Sequence, residues 1–115
     1  MVRSKRNNNP GNLRFSPFTQ RRGAVNDGEE YSKFPTMIQG LAAMLDLIAT
    51  NGYRNLTIKG AISKYAPAND NNRPDAYTAF VCENAGLKPD MKIVDLNPFQ
   101  VFGMLTAMII FEGWK

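Results

Sequence analysis

The longest apolar segment of the chain lies near its C-terminal end. Residues 99–111 read FQVFGMLTAMIIF and contain no charged residue. Asn97 is a suitable N-cap, and Pro98 suits a first helical turn, where its missing N–H costs nothing. We therefore expect a helix inside the domain that carries Glu112 to the edge of the core or to the floor of a cleft. There the carboxyl group would keep its proton more readily than a solvated acid. The alternative is a solvated carboxylate at a frayed chain end.

Apolar residues at helical spacing predict three further helices upstream. The first is capped by Thr36 and ended by Asn51-Gly52, and its apolar stripe consists of Met37, Leu41, Met44, Leu45 and Ile48. The second is capped by Thr57 and covers residues 58–65. The third begins at Pro74 and ends at Ala85-Gly86, with Tyr77, Phe80 and Val81 on one face.

Residues 13–34 predict a small, irregular β-hairpin. Leu13 to Phe15 forms the first strand in this interpretation, Glu29 to Phe34 returns, and residues 25–28 supply the turn. Four helices and one hairpin predict an α+β fold. At 115 residues we expect a single domain over residues 1–115, with residues 1–6 as a basic, flexible N-terminal arm.

Composition restricts the available chemistry. The chain has no histidine and one cysteine, Cys82, which excludes internal disulfides, Cys/His zinc sites and histidine-based triads. We expect Cys82 to be a buried hydrophobic residue and expect no metal or cofactor. Catalysis would use carboxylates, amides, hydroxyls and tyrosines. No apolar run reaches the roughly 20 residues of a membrane span, and MVRSKR lacks the apolar stretch of a signal peptide.

Positive charge is concentrated near the start of the chain. The net charge is +4 and the pI is near 9.4. This favours an anionic partner, either a cell-wall polymer or nucleic acid, although a solubilising tail has the same composition. Nucleic acid is the weaker expectation, because no helix-turn-helix, RNP motif or zinc site is found.

The string from Arg6 to Arg14, RNNNPGNLR, is unusually rich in amides. Consecutive amides offer donors and acceptors that match sugar hydroxyl and acetamido groups. A tight Asx-type turn that fixes the N-terminus is the alternative. Asn8, Asn9 and Asn12 are therefore candidates either for holding substrate or for fixing this loop.

Taken together, these motifs resemble phage and prophage proteins related to peptidoglycan hydrolases, many of which are labelled only as virion structural proteins. The resemblance covers Arg6 to Gly113. It rests on NNPGNLR, on the hairpin ending in Tyr31-Ser-Lys-Phe34-Pro, on Gly40-Leu-Ala-Ala, and on a second signature, Tyr65-Ala-Pro-Ala-Asn69-Asp70-Asn71 followed by Ala76-Tyr77. It implies a lysozyme-like fold.

A wider similarity concerns Phe111-Glu112-Gly113-Trp114. In lysozyme-like glucosaminidases and lytic transglycosylases, an apolar helix ends in a catalytic Glu, often within Glu-Ser-Gly-Trp, and an Asn-Asn loop and a hairpin follow. Here the loop and hairpin come first and the helix last, which resembles a circular permutation with termini that meet in space. The resemblance implies that Glu112 is the general acid and that Trp114 lies across a cleft from the Asn-rich start.

The reaction type depends on a second carboxylate. Hydrolases generally use two, roughly 5 to 9.5 Å apart, whereas lytic transglycosylases resemble lysozymes but use one Glu as acid and then base. Glu29 and Glu30 in the hairpin, together with Asp27, are candidates for the second acid, and neither mechanism is excluded. Arg14 could instead pair with Glu112. Further candidates for substrate contact are Tyr31, Tyr77, Asp70 and Trp114, although Tyr31 and Tyr77 also suit a core and Asp70 a helix-entry cap.

The resemblance thus implies cleavage of peptidoglycan glycan strands by a lytic transglycosylase or N-acetylmuramidase. Such a protein would be virion-associated, or present in the host cytoplasm and delivered to the cell wall without a signal peptide. Its partners would be glycan strands and other virion proteins. The alternative is a non-catalytic virion structural or glycan-binding protein on the same fold.

Overall fold

The chain divides into two compact units in the computed structural model, which describes residues 1–66 and 73–113. The first unit contains residues 1–47 together with Glu112 and Gly113, and the second contains residues 48–111. The single domain over residues 1–115, with its flexible arm, stays a prediction.

The first unit is built from short elements around a small sheet. Helix α1 is Arg3–Arg6, helix α2 is Pro17–Gln20, strand β1 is Val25–Asn26 and strand β2 is Ser32–Lys33; helix α3, Met37–Ile48, follows and ends in the second unit. Strands β1 and β2 are antiparallel, and Val25 lies opposite Lys33. Residues 3–6, predicted as part of an arm, form a helical turn in which Ser4 is buried.

The hairpin differs in register from the prediction. Residues 25–26 form a strand rather than a turn, and the turn lies at 27–30, because Asn26 Oδ1 accepts a hydrogen bond from the N–H of Gly28 at 2.8 Å. The predicted first strand, residues 13–15, pairs with the returning segment on the side opposite to β1. Arg14 forms an antiparallel bridge with Tyr31, and the Phe15 N–H donates to the Glu30 carbonyl at 2.9 Å.

Helix α3 begins as predicted but buries a different face. The Gln39 N–H donates to Thr36 Oγ1 at 3.2 Å, which confirms the cap. The helix ends at Ile48, because Asn51–Arg54 forms the separate helix α4. Met37 and Leu45 of the predicted stripe are exposed, whereas Ala43, Met44 and Ile48 are buried. Gly40 is also buried, and the backbone of Asn8 approaches the helix closely at this position.

The second unit is helical. It contains α4, helix α5 (Ile58–Tyr65), helix α6 (Pro74–Ala85), a 3-10 helix (Ile93–Asp95) and helix α7 (Pro98–Phe111). Three predicted ends are confirmed: Thr57 Oγ1 caps α5, Gly86 ends α6 at φ 67°, and Asn97 forms reciprocal bonds of 2.9 Å with Gln100. Helices α5, α6 and α7 pack around a core that includes Ile58, Ile62, Tyr77, Val81, Met104 and Met108.

Helix α7 is only half buried, which corrects the expectation of a wholly internal helix. Met104, Leu105, Ala107 and Met108 are buried, whereas Phe99 is 88% exposed and Phe102 is 64% exposed. Phe99, Phe102 and the exposed Ile110 recur at helical spacing and share one face. The lack of charge in a helix therefore does not require burial on every side.

The described residues form a mixed, mostly helical fold with a small two-stranded antiparallel sheet, in agreement with the α+β prediction. Cys82 is buried as predicted, and burial raises the pKa of its thiol. Among the described helices, none has both the length and the apolar composition of a bilayer span.

Candidate active site

The amide-rich loop, residues 7–12, contacts several other segments of the first unit. Asn8 and Asn12 adopt left-handed backbone conformations, with φ of 51° and 53°. Asparagine tolerates this region better than most residues, because its short polar side chain can hydrogen-bond locally. The Asn9 N–H donates to the Ser4 carbonyl at 2.8 Å, and the Asn12 N–H donates to the Asn9 carbonyl at 2.9 Å. The loop therefore folds back onto α1.

Asn9 holds the loop to the hairpin with its whole amide. Its side chain is fully buried, and Nδ2 donates to the carbonyls of Leu13 and Ser32, both at 2.9 Å. Its Oδ1 accepts the N–H of Leu13 at 2.9 Å. Both donors of Nδ2 are thus used inside the fold. Of the two roles predicted for Asn9, this geometry favours fixing the loop over holding substrate.

Asn8 is also used inside the fold. Its Nδ2 donates to the carbonyls of Phe34 at 3.2 Å and Pro35 at 3.3 Å. Its own carbonyl oxygen lies against Gly40, where a Cβ atom would overlap it. Glycine at position 40 therefore allows α3 to approach the loop, which accounts for the Gly40-Leu-Ala-Ala motif in physical terms.

Asp27 connects the loop to the turn of the hairpin. Its Oδ1 accepts the N–H groups of Glu29 at 2.7 Å and Tyr31 at 3.1 Å, and its Oδ2 accepts Asn7 Nδ2 at 2.8 Å. Burial alone would raise the pKa of Asp27, but these hydrogen bonds and the charge of Arg3 lower it below its ordinary value of 3.8. This geometry favours a structural role for Asp27 over that of a second catalytic acid.

Glu112 lies beside the amide-rich loop. It follows directly after α7, is partly buried, and places Oε1 3.5 Å from Nδ2 of Asn12. Its backbone carbonyl is 3.5 Å from Oγ of Ser4, which is 1% exposed. The structure thus brings together Glu112 and Asn12, two of the predicted site residues that are a hundred positions apart in the chain.

The two other acidic candidates, Glu29 and Glu30, are surface residues in ion pairs. Glu29 Oε1 lies 3.3 Å from Arg6, and Glu30 Oε2 lies 3.6 Å from Arg14. Their side chains are 60% and 83% exposed. Both carboxylates are therefore solvated and held in ion pairs rather than enclosed in an apolar pocket.

Tyr31 is a partly exposed aromatic surface next to the loop. The guanidinium carbon of Arg3 lies 4.0 Å from the centroid of its ring, and that of Arg14 lies 5.2 Å away. Such cation–π contacts hold the ring in place. Tyr31 is therefore positioned at the edge of the first unit, whereas its predicted core partner Phe34 is buried.

Tyr77 belongs to the interior of the second unit. It is 1% exposed, its ring stacks on Phe111 with centroids 4.2 Å apart, and its hydroxyl donates to the Met108 carbonyl at 3.4 Å. These contacts favour the core interpretation of Tyr77 over contact with a sugar, and the hydroxyl lies inside rather than at the surface. The remaining candidates, Asp70 and Trp114, lie outside the described residues.

Sequence reasoning missed Ser4 and Arg3, which contribute to the site from α1. A four-residue helix shows no apolar periodicity, and RSKR reads as a solvated basic segment. Only the long-range contacts of Ser4 with Glu112 and of Arg3 with Tyr31 reveal these roles. Within the described ranges, no group of three or more His, Cys, Asp or Glu residues could hold a metal ion.

The chain was also compared with known proteins. No protein-family model matches it, and no curated protein matches it. The case for a function therefore rests on the residues and on their geometry.

Proposed function

We propose that this protein cleaves the glycan strands of peptidoglycan, with Glu112 as the general acid. The observation that carries the proposal is the position of Glu112: its Oε1 lies 3.5 Å from the Asn12 amide, beside the loop that opens the chain. An uncharged helix precedes this carboxylate, and the group is partly buried. The contact between this acid and the amide-rich loop supports the circularly permuted, lysozyme-like fold that the resemblance implies.

In this mechanism the protonated Glu112 donates its proton to the glycosidic oxygen between N-acetylmuramic acid and N-acetylglucosamine. A general acid must carry its proton at the moment of reaction, and the proposal requires this of Glu112. Positioned acids of this kind contribute about 10²- to 10⁴-fold to the rate.

The ion pairs of Glu29 and Glu30 favour a mechanism with a single acid. Each carboxylate is already held by an arginine, and a nucleophile or base would have to leave that pair. After proton transfer, the Glu112 carboxylate would serve as the base that activates the muramyl 6-hydroxyl, and the product would carry a 1,6-anhydro end. We therefore propose a lytic transglycosylase in preference to an N-acetylmuramidase. A phage or prophage protein with this activity would act from the virion or late in infection.

The test is digestion of purified peptidoglycan by the wild type, Glu112→Gln and the matched control Glu83→Gln, with mass spectrometry of the released muropeptides. Glu83 is an exposed acid on α6. Anhydro-muramyl products from the wild type and Glu83→Gln, but not from Glu112→Gln, are expected. Equal release by Glu112→Gln would reject the proposal. Reducing ends in place of anhydro ends would establish a hydrolase.

A non-catalytic virion structural or glycan-binding protein is the second candidate. The exposed face of α7 favours it, because Phe99 and Phe102 present aromatic surface of the kind found at protein–protein interfaces. No release from peptidoglycans of several chemotypes, together with retained binding to the same walls, would favour this function.

A further inference from the structure

The side chain of Asn12 is only half satisfied by the fold. Its Nδ2 donates to Glu112 Oε1 over a long distance of 3.5 Å. Its Oδ1 is buried and has no hydrogen-bond partner in the part of the chain that the structure describes. A buried carbonyl oxygen without a donor is costly, and such an atom in a native structure calls for an explanation. The backbone of Asn12 is left-handed at φ 53°.

A primary amide and a carboxyl group can pair through two hydrogen bonds when the acid is protonated. The amide N–H donates to one carboxyl oxygen, and the carboxyl O–H donates to the amide oxygen. When the acid is ionised, only the first of these bonds remains, and the amide oxygen faces a second acceptor. In the structure the first bond is present and the amide oxygen is the atom that lacks a partner. The amide oxygen of Asn12 is therefore the atom that a proton on the carboxyl group could satisfy.

We propose that Asn12 is a positioning residue that holds the proton on Glu112, with Nδ2 donating to Oε1 and Oδ1 accepting the hydrogen bond of the protonated Oε2. The inference rests on the proposed function for its catalytic meaning, since a retained proton is what a general acid needs. The pairing itself is a property of the free protein. A hydrogen bond made only by the neutral form of an acid favours that form.

Charged groups on the neighbouring segments act on the Glu112 carboxyl group in both directions. Arg3, Lys5 and Arg6 lie on α1, whose Ser4 contacts Glu112, and Arg14 lies two residues after Asn12. The N-terminal amine precedes α1, and the hairpin carries Asp27, Glu29 and Glu30. Cations stabilise the ionised carboxylate and anions disfavour it. All of these groups are retained when only Asn12 is changed, so substitutions at Asn12 isolate the contribution of the amide.

The experiment is a carbon-13 NMR titration of the Glu112 carboxyl carbon in the substrate-free protein. Asn12→Gly removes the amide and suits the left-handed backbone. It is expected to lower the titration midpoint of Glu112 by about one pH unit, which corresponds to about tenfold in proton affinity. Asn12→Asp places a second carboxyl group beside the first, so the last proton of the pair is expected to leave at a higher pH than in the wild type.

Asn8→Gly is the matched control. Asn8 has the same residue type and the same left-handed backbone, but its amide bonds to the carbonyls of Phe34 and Pro35. The midpoint of Glu112 is expected to stay at its wild-type value in this variant. An unchanged or higher midpoint in Asn12→Gly, or an equal decrease in Asn8→Gly, overturns the inference.

The outcome is separable from that of the proposed function. Glu112→Gln that still digests peptidoglycan would reject the catalytic role, while a lowered midpoint in Asn12→Gly would still establish the acid–amide pair. Conversely, loss of digestion in Glu112→Gln without any shift in Asn12→Gly would keep the catalytic acid and reject the role of Asn12.

Discussion

The backbone carbonyl oxygen of Asn8 and the Cα of Gly40 are in such close contact that no Cβ atom fits between the loop and α3. The first prediction follows from this contact. Gly40→Ala is expected to lower the free energy of unfolding by about 1 to 3 kcal/mol, because the loop must move away from the helix. Gly103→Ala in α7 is the control: its Cβ would lie 3.4 Å from Ala85 Cβ, an ordinary contact. That variant is expected to gain up to about 1 kcal/mol from helix propensity. Equal unfolding free energies for the two variants in denaturant would contradict the close approach between the loop and α3.

Asn9 provides the second prediction. Asn9→Ala leaves the Leu13 N–H and the carbonyls of Leu13 and Ser32 without their partner. We expect a loss of about 2 to 4 kcal/mol, because several buried polar groups become unsatisfied. Asn84→Ala, at an exposed position of α6, is expected to stay within about 0.5 kcal/mol of the wild type. If urea denaturation gives the same midpoint for both variants, the hydrogen bonds of Asn9 do not stabilise the contact between the loop and the hairpin.

Asp27 predicts a pH dependence of stability. Because its folded pKa lies below 3.8, the ionised carboxylate contributes its full stability above that value. The contribution is lost as the pH falls through the folded pKa. Asp27→Asn lacks this component, so the difference in unfolding free energy between wild type and variant should shrink from pH 6 towards pH 2. If the unfolding free energies of wild type and variant change in parallel with pH over this range, the pKa of Asp27 is the same in the folded and unfolded states.

Glu29 and Glu30 test the mechanism with a single acid. Under the proposed function, Glu29→Gln and Glu30→Gln should each digest peptidoglycan at rates within about fivefold of the wild type, because exposed ion pairs contribute at most about 1 kcal/mol. The products should keep their anhydro ends. A loss of two orders of magnitude in either variant would identify the second carboxylate of a hydrolase.

Two residues of α7 test the half-buried helix. Phe102→Ser changes a side chain that is 64% exposed and should alter the unfolding free energy by less than about 0.5 kcal/mol. Met104→Ala, two positions further on, empties a buried site and should cost about 2 to 5 kcal/mol. Similar losses in both variants would indicate that Phe102 is buried in solution, for example by another protein subunit.

The sequence predicts the elements whose signals are local. Helix α5 begins after Thr57, α6 ends at Gly86 and α7 begins after Asn97, because these residues act on backbone groups only a few residues away. The hairpin register is not local in this sense. A strand of two residues shows no alternation, and Asn26 reads as a turn residue although the turn that its side chain stabilises lies after it.

Glu112 and the asparagines of the loop are candidates from the sequence alone, but the sequence does not indicate which of these asparagines are used inside the fold. Nothing in NNPGN distinguishes Asn9, which is fully used inside the fold, from Asn12, whose oxygen lacks a partner in the described residues. That difference depends on where Leu13, Ser32 and Glu112 come to lie, and these contacts span up to a hundred positions. The sequence also does not predict which face of α7 is exposed, because an uncharged helix does not indicate which side its neighbours cover.

Val2 and Gly113 are neighbours in space, and a Cβ atom at Gly113 would lie 3.8 Å from the Val2 side chain. A circularly permuted variant could join these positions through a few glycines and have its new termini elsewhere on the surface. In its sequence α7, Glu112, the amide-rich loop and the hairpin would follow one another directly. Folding of such a protein would show that the contacts between these segments do not depend on the order of the segments in the chain.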